Sequence, residues 1–172
     1  MVNWLPESIP LFYIERLEFD NEIKIEPTDI QSICHVADKV TEEMLISTSQ
    51  MTKDNFTKII EAGRQCPFLK FYNWEFSGKS KFELDPSLEY TLKDISLHEW
   101  WSNQTNNKLT IEDLEKLIIS MSKTSIKNYL KVIQIDQDYQ HWKKLKKILT
   151  NNGMNDVKVV ITKANKTSWK FA

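Results

Sequence analysis

Two stretches of this chain obey one spacing rule. Leu92-Lys-Asp-Ile95-Ser-Leu97 and Leu130-Lys-Val-Ile133-Gln-Ile135 both place apolar residues at i, i+3 and i+5. In an extended segment, residues of one parity share a face. The i+3 and i+5 residues therefore point into a core, and i+2, i+4 and i+6 point away from it. The leading residue breaks that parity and turns inward where the chain bends into the strand.

Looser copies of the rule occur along the chain. They are Ile14/Leu17/Phe19, Met44/Ile46 led by Thr41, Leu69/Tyr72/Trp74, and a last strand at Val157-Lys-Val-Val160-Ile161. The first residues fall at 14, 41, 69, 92, 130 and 157, in steps of 27, 28, 23, 38 and 27. Helix-spaced segments lie between them. Ile30, Ile33, Cys34 and Ala37 predict a helix over about 28–38, after Pro27. Phe56, Ile59, Ile60 and Gly63 predict one that starts at the N-cap Thr52. Thr110 to Asp113 resembles a capping box ahead of Ile111, Leu114, Leu117, Ile118 and Met121. Trp142, Leu145, Ile148 and Leu149 predict a helix over 139–151, stopped by Asn152-Gly153. The step from 69 to 92 holds no long helix, and the step from 92 to 130 contains a polar loop over 100–110.

These features resemble the leucine-rich repeat family, in the longer ribonuclease-inhibitor-like type that alternates one strand with one helix. The L-x-x-L-x-L half of the family pattern is carried by Leu92/Ile95/Leu97 and Leu130/Ile133/Ile135, and the family's following Asn is absent from both. The resemblance implies an α/β fold of one domain over 1–172. It would be a short solenoid of about six irregular repeats, with a parallel sheet on the concave side, helices on the convex side, and a polar C-terminal tail at 163–172. A doubly wound sheet is the competing arrangement. It would bury both faces and needs strands that are apolar throughout. The outward positions here include Arg16, Glu18, Asp20, Asn73, Glu75, Asp94, Ser96, His98, Gln134 and Asp136, which favours the solenoid.

The family mostly binds other proteins on its concave sheet, so that face is the expected binding surface. Its expected residues are Arg16, Glu18, Phe71, Asn73, Glu75, Asp94, His98, Val132, Gln134 and Asp136, joined by Trp100 and Trp101 at the mouth of the polar loop. Phe71, Val132 and Val159 would form an apolar strip. The plainer alternatives are a terminal segment folded over that strip, and Trp residues packed under their own loop.

Charge divides the chain. Residues 1–100 carry ten Lys and Arg against eighteen Asp and Glu, a net −8. Residues 101–172 carry thirteen Lys and no Arg against six Asp and Glu, a net +7, which combine to the −1 of the whole. Lys143, Lys144, Lys146 and Lys147 flank the inner stripe of the last helix, and Lys166, Trp169 and Lys170 follow in the tail. Together they form an alternative nucleic-acid surface, with Trp169 able to stack on a base. A solvated helix face accounts for the same lysines, and the absence of Arg argues against base reading.

No catalytic motif is present. His35, His98 and His141 lack metal-ligand spacing, and Cys34 and His35 point about 100° apart on a helix. No cofactor motif occurs, no 18-residue apolar run predicts a membrane span, and Cys34 and Cys66 read as buried thiols of a reducing compartment. The expectation is a non-catalytic, intracellular module, cytoplasmic or nuclear. It would bind a protein partner as a subunit or adaptor of a hetero-complex.

Overall fold

The computed structural model describes residues 13–19, 29–47, 51–72, 76–77, 81–98, 110–136 and 142–162. In chain order its elements are β1 (Ile14–Phe19), α1 (Ile30–Ala37), β2 (Val40–Ser47), β3 (Met51–Thr52), α2 (Lys53–Ala62), β4 (Phe68–Tyr72), β5 (Phe76–Ser77), β6 (Asp94–His98), α3 (Ile111–Ser122), α4 (Ile126–Tyr129), β7 (Val132–Asp136), α5 (Trp142–Asn151) and β8 (Lys158–Thr162). The fold is α/β. Six strands form one open, wholly parallel sheet in the order β1-β2-β4-β6-β7-β8, and β3 with β5 makes a small parallel pair. The six strands lie side by side in chain order. A doubly wound sheet would reverse its order at a switch point, and this one has no reversal.

Local chemistry sets the element ends. Thr52 Oγ1 accepts a hydrogen bond from the Asn55 amide at 3.1 Å, and Thr110 Oγ1 accepts one from the Asp113 amide at 3.1 Å, so both expected N-caps form. Helix α5 ends in a Schellman arrangement. Gly153 has a φ of +72°, and the Met154 amide donates to the Leu149 carbonyl at 2.9 Å. Gly63 closes α2, where a Cβ would stand 2.8 Å from Met44 Cε. Here glycine lets the helix end pass close over β2.

The strand register corrects the repeat frame. Leu17, Met44, Leu69, Ile95, Ile133 and Val159 are in register across the sheet, as are Phe19, Ile46, Phe71, Leu97, Ile135 and Ile161. The first set falls at steps of 27, 25, 26, 38 and 26, more even than the sequence spacing alone indicates. In the third repeat the leading residue is the buried Cys66 and not Leu69. An offset of three residues is odd, so it exchanges the two faces of the strand. In the second repeat Val40 takes the leading place expected of Thr41, through a bulge opposite β1 between Ile14 and Arg16. In the sixth, Val159 pairs with Ile133 and packs against the core, so Val160 faces outward.

One core joins the inward strand residues to the apolar stripes of the helices, among them Ile33, Phe56, Ile60, Leu117, Ile118, Ile126 and Leu145. Where a helix is missing between β4 and β6, the non-helical segment 81–93 fills the space with Phe82, Leu84, Tyr90 and Leu92. Its buried amides need acceptors. Ser120 Oγ accepts from the Leu84 amide at 2.9 Å, and Ser125 Oγ accepts from the Tyr90 amide at 2.8 Å.

Candidate functional site

The side of the sheet away from the helices carries two described rows of residues. The first row reads Arg16, Glu43, Phe68, Asp94, Val132 and Lys158, and the second reads Glu18, Leu45, Lys70, Ser96, Gln134 and Val160. Strand parity puts them there, because each alternates with a core residue. Arg16 Nε lies 2.7 Å from Glu43 Oε2, and Lys70 Nζ pairs with Glu43 Oε1. Gln134 Nε2 donates to Asp94 Oδ2 at 2.9 Å. Lys70 and Gln134 make the same diagonal reach: each is in the second row and holds the first-row carboxylate of the preceding strand. On β6 the equivalent place belongs to Ser96, and the first-row residue of the preceding strand is Phe68, which offers no carboxylate. Ser96 is 1% exposed, and among the described residues neither its Oγ nor Asp94 Oδ1 has a hydrogen-bond partner. Ser47 Oγ, farther along β2, is likewise buried without a partner.

The expected site residues separate into three groups. Arg16, Glu18, Asp94, Val132 and Gln134 share this face. Phe71 does not: it is buried in the core, its ring 4.6 Å from that of Phe56. Phe68 and Lys70 hold the outward places instead, and Phe68 is an exposed aromatic of the face. The frame error hid it, and Cys66, an apolar residue three positions before Leu69, was the signal that could have revealed it. Val159 likewise leaves the expected apolar strip for the core side. Tyr72, expected inward, takes an outward register position beside Ser47 and His98. His98 and Asp136 end β6 and β7, but their side chains lie outside the described residues, as do Asn73, Glu75, Trp100 and Trp101.

Comparison with protein-family models, curated proteins and solved structures finds no match. The case for the site therefore rests on its own geometry.

On the helix side, Lys143, Lys144, Lys146 and Lys147 of α5 are all exposed, and Lys144 Nζ lies 4.0 Å from Glu112 Oε1. Lys166, Trp169, Lys170 and His141 lie outside the described residues. A shallow cleft of about 650 Å³ lies between α1 and α2, lined by Ile30, Cys34, Lys58, Ala62, Arg64 and Leu88. Its Arg64 is committed to Asp38 at 3.5 Å and to the Glu61 carbonyl at 3.3 Å. Burial holds the Cys34 thiol above the usual thiol range, against the opposing pull of Lys58, which keeps it a poor nucleophile. His35 is exposed. Among the described residues no three His, Cys, Asp or Glu side chains cluster to hold a metal, and no helix is long and apolar enough to cross a membrane.

Proposed function

We propose that this chain is a leucine-rich-repeat-like, non-catalytic module that captures a protein partner on the open face of its sheet, as a subunit or adaptor of a larger assembly. The observation that carries the reading is the make-up of that face. Phe68, Val132 and Val160 stand outward among charged and amide groups, while on the opposite side Leu69, Phe71, Ile133 and Ile135 of β4 and β7 are buried in the core. Apolar side chains interspersed with hydrogen-bonding groups are the composition of a docking surface. Strands in chain order, spaced by about one strand–helix unit, support the solenoid form, with helices on its convex side.

The test uses the full-length tagged chain, wild type against Phe68→Glu and Val132→Glu, with folding verified by circular dichroism. Partners held in stoichiometric amounts at high salt by the wild type, and lost by either variant, are the expected result. Capture unchanged by both variants overturns the reading.

The exposed lysines of α5 support a second reading, an accessory nucleic-acid-binding subunit. It predicts salt-sensitive retention of RNA or DNA that vanishes when Lys143, Lys144, Lys146 and Lys147 are changed to Glu. Retention that survives the change removes it.

A further inference from the structure

Two carboxylates stand in the first row of the open face, and their surroundings differ. Glu43 is saturated, with Arg16 on one side and Lys70 on the other. Among the described residues Asp94 has one neutral donor, the Gln134 amide on Oδ2, while Oδ1 is closed to water and has no partner. Ser96 Oγ, on the same face of the same strand, is in the same condition. Two residues along a strand set their Cα atoms about 6.7 Å apart. An unpartnered buried acceptor is costly, and a half-buried carboxylate oxygen more so. Two such atoms, two residues apart on one face of β6, describe a receiving site for a donor that the described residues do not supply.

The neighbours define the donor. Asp94 is in register between Phe68, which is 43% exposed, and Val132. Lys70, the cation nearest in register to Ser96, is turned to Glu43. A carboxylate beside an open aromatic ring suits a cation that both hydrogen-bonds and stacks. A guanidinium has a planar fork of donors that can serve two separated acceptors while its face lies on a ring, which an ammonium cannot do. We propose that Asp94 and Ser96 receive an arginine side chain of a protein partner, stacked against Phe68. The proposal rests on the reading of the open face as the docking surface and specifies what the partner presents to it.

The test titrates N-acetyl-arginine methylamide into the isotope-labelled full-length chain and follows backbone amide resonances. The uncharged isostere N-acetyl-citrulline methylamide is the control. Saturable shifts centred on Phe68, Asp94, Ser96 and Gln134 are expected from the arginine probe alone. Asp94→Asn keeps the side-chain shape and an acceptor for Gln134, and should weaken the probe about tenfold or more. Equal shifts from both probes, shifts confined to other surface carboxylates, or undiminished binding to Asp94→Asn overturn the proposal. Should Asp94→Asn fail to fold, Phe68→Leu replaces it, and undiminished probe binding to that variant has the same meaning. The parent reading is scored separately. Partner capture that survives Asp94→Asn but not Val132→Glu removes the arginine site and leaves the docking face in place.

Discussion

The two sides of the sheet are made from the same strands and obey different rules. Toward the helices, the paired rows are apolar at every position from Leu17 to Val159 and from Ile46 to Ile135. Away from them, adjacent places hold Arg, Glu, Phe, Asp, Val and Lys. Burial accepts essentially one class of residue, whereas an open surface accepts any class and so is free to carry recognition. The largest test of this contrast compares two phenylalanines three residues apart. Phe71 is 1% exposed and packs on Phe56, whereas Phe68 is 43% exposed. Phe71→Ala should cost about 3–5 kcal/mol in denaturant unfolding, and Phe68→Ala less than about 1 kcal/mol. Equal losses would mean that the two sides do not differ as described.

The same contrast explains what was legible in the sequence. The apolar helix stripes, the caps at Thr52 and Thr110 and the stop at Gly153 could be read directly, because each follows from local spacing or backbone chemistry. The parallel α/β architecture followed from the alternation of strand and helix. The open face could be read only as far as the frame was right. At Leu92 and Leu130 spacing and strand register agree, so the sequence puts Asp94, Val132 and Gln134 on the outward side. In the third repeat the continuous run Phe68-Leu-Lys-Phe-Tyr72 has apolar residues of both parities, and either frame seats an apolar residue in the core. Pairing with Met44 and Ile95 settled the choice, and pairing is long-range information that no single repeat contains. Helix α4 and the β3–β5 pair went unread for a related reason: elements of four and two residues are too short to show a period.

Charge pairs sharpen the contrast at a smaller scale. On the helix side, Lys53 Nζ lies 2.6 Å from Asp113 Oδ1 with the two side chains 11% and 14% exposed, and 5.7 Å from the centre of the Phe82 ring. The pair ties the first turn of α2 to that of α3. Removing one partner strands a nearly buried charge. Lys53→Met should therefore cost about 3 kcal/mol in unfolding experiments, whereas the double change Lys53→Met with Asp113→Leu should recover most of that loss. A double variant no more stable than the single would show that the pair does more than satisfy its own charges.

Titration gives the next effect. Burial pushes the Cys66 thiol up to about 11, against hydrogen bonds that act the other way. The Tyr90 phenol is also raised, by burial first and then by the charges of Glu61 and Asp85. Below about pH 7.5 both groups keep their protons folded or unfolded, so the full stability is present. From there toward pH 11 the unfolded chain releases the Cys66 proton while the folded chain retains it, and stability falls. The Cys66 share should be about 1–2 kcal/mol between pH 8 and 10.5. Cys66→Ala should flatten that part of the slope in unfolding measured across this range, whatever it does to stability at pH 8. An unchanged slope would place the thiol in contact with water.

The smallest expected effect lies on the open face. Glu43 joins Arg16 and Lys70, but Arg16 is largely exposed and Lys70 about one third exposed. Water screens such pairs, so Glu43→Gln should cost no more than about 1 kcal/mol, and added salt should shrink that difference. The change leaves two like charges on β1 and β4, the strands on either side of β2, and salt relieves their repulsion as well. A loss of about 3 kcal/mol that persists in high salt would put Glu43 in the same class as Asp113, and the open side would then be a second sealed layer and not a surface kept free for a partner.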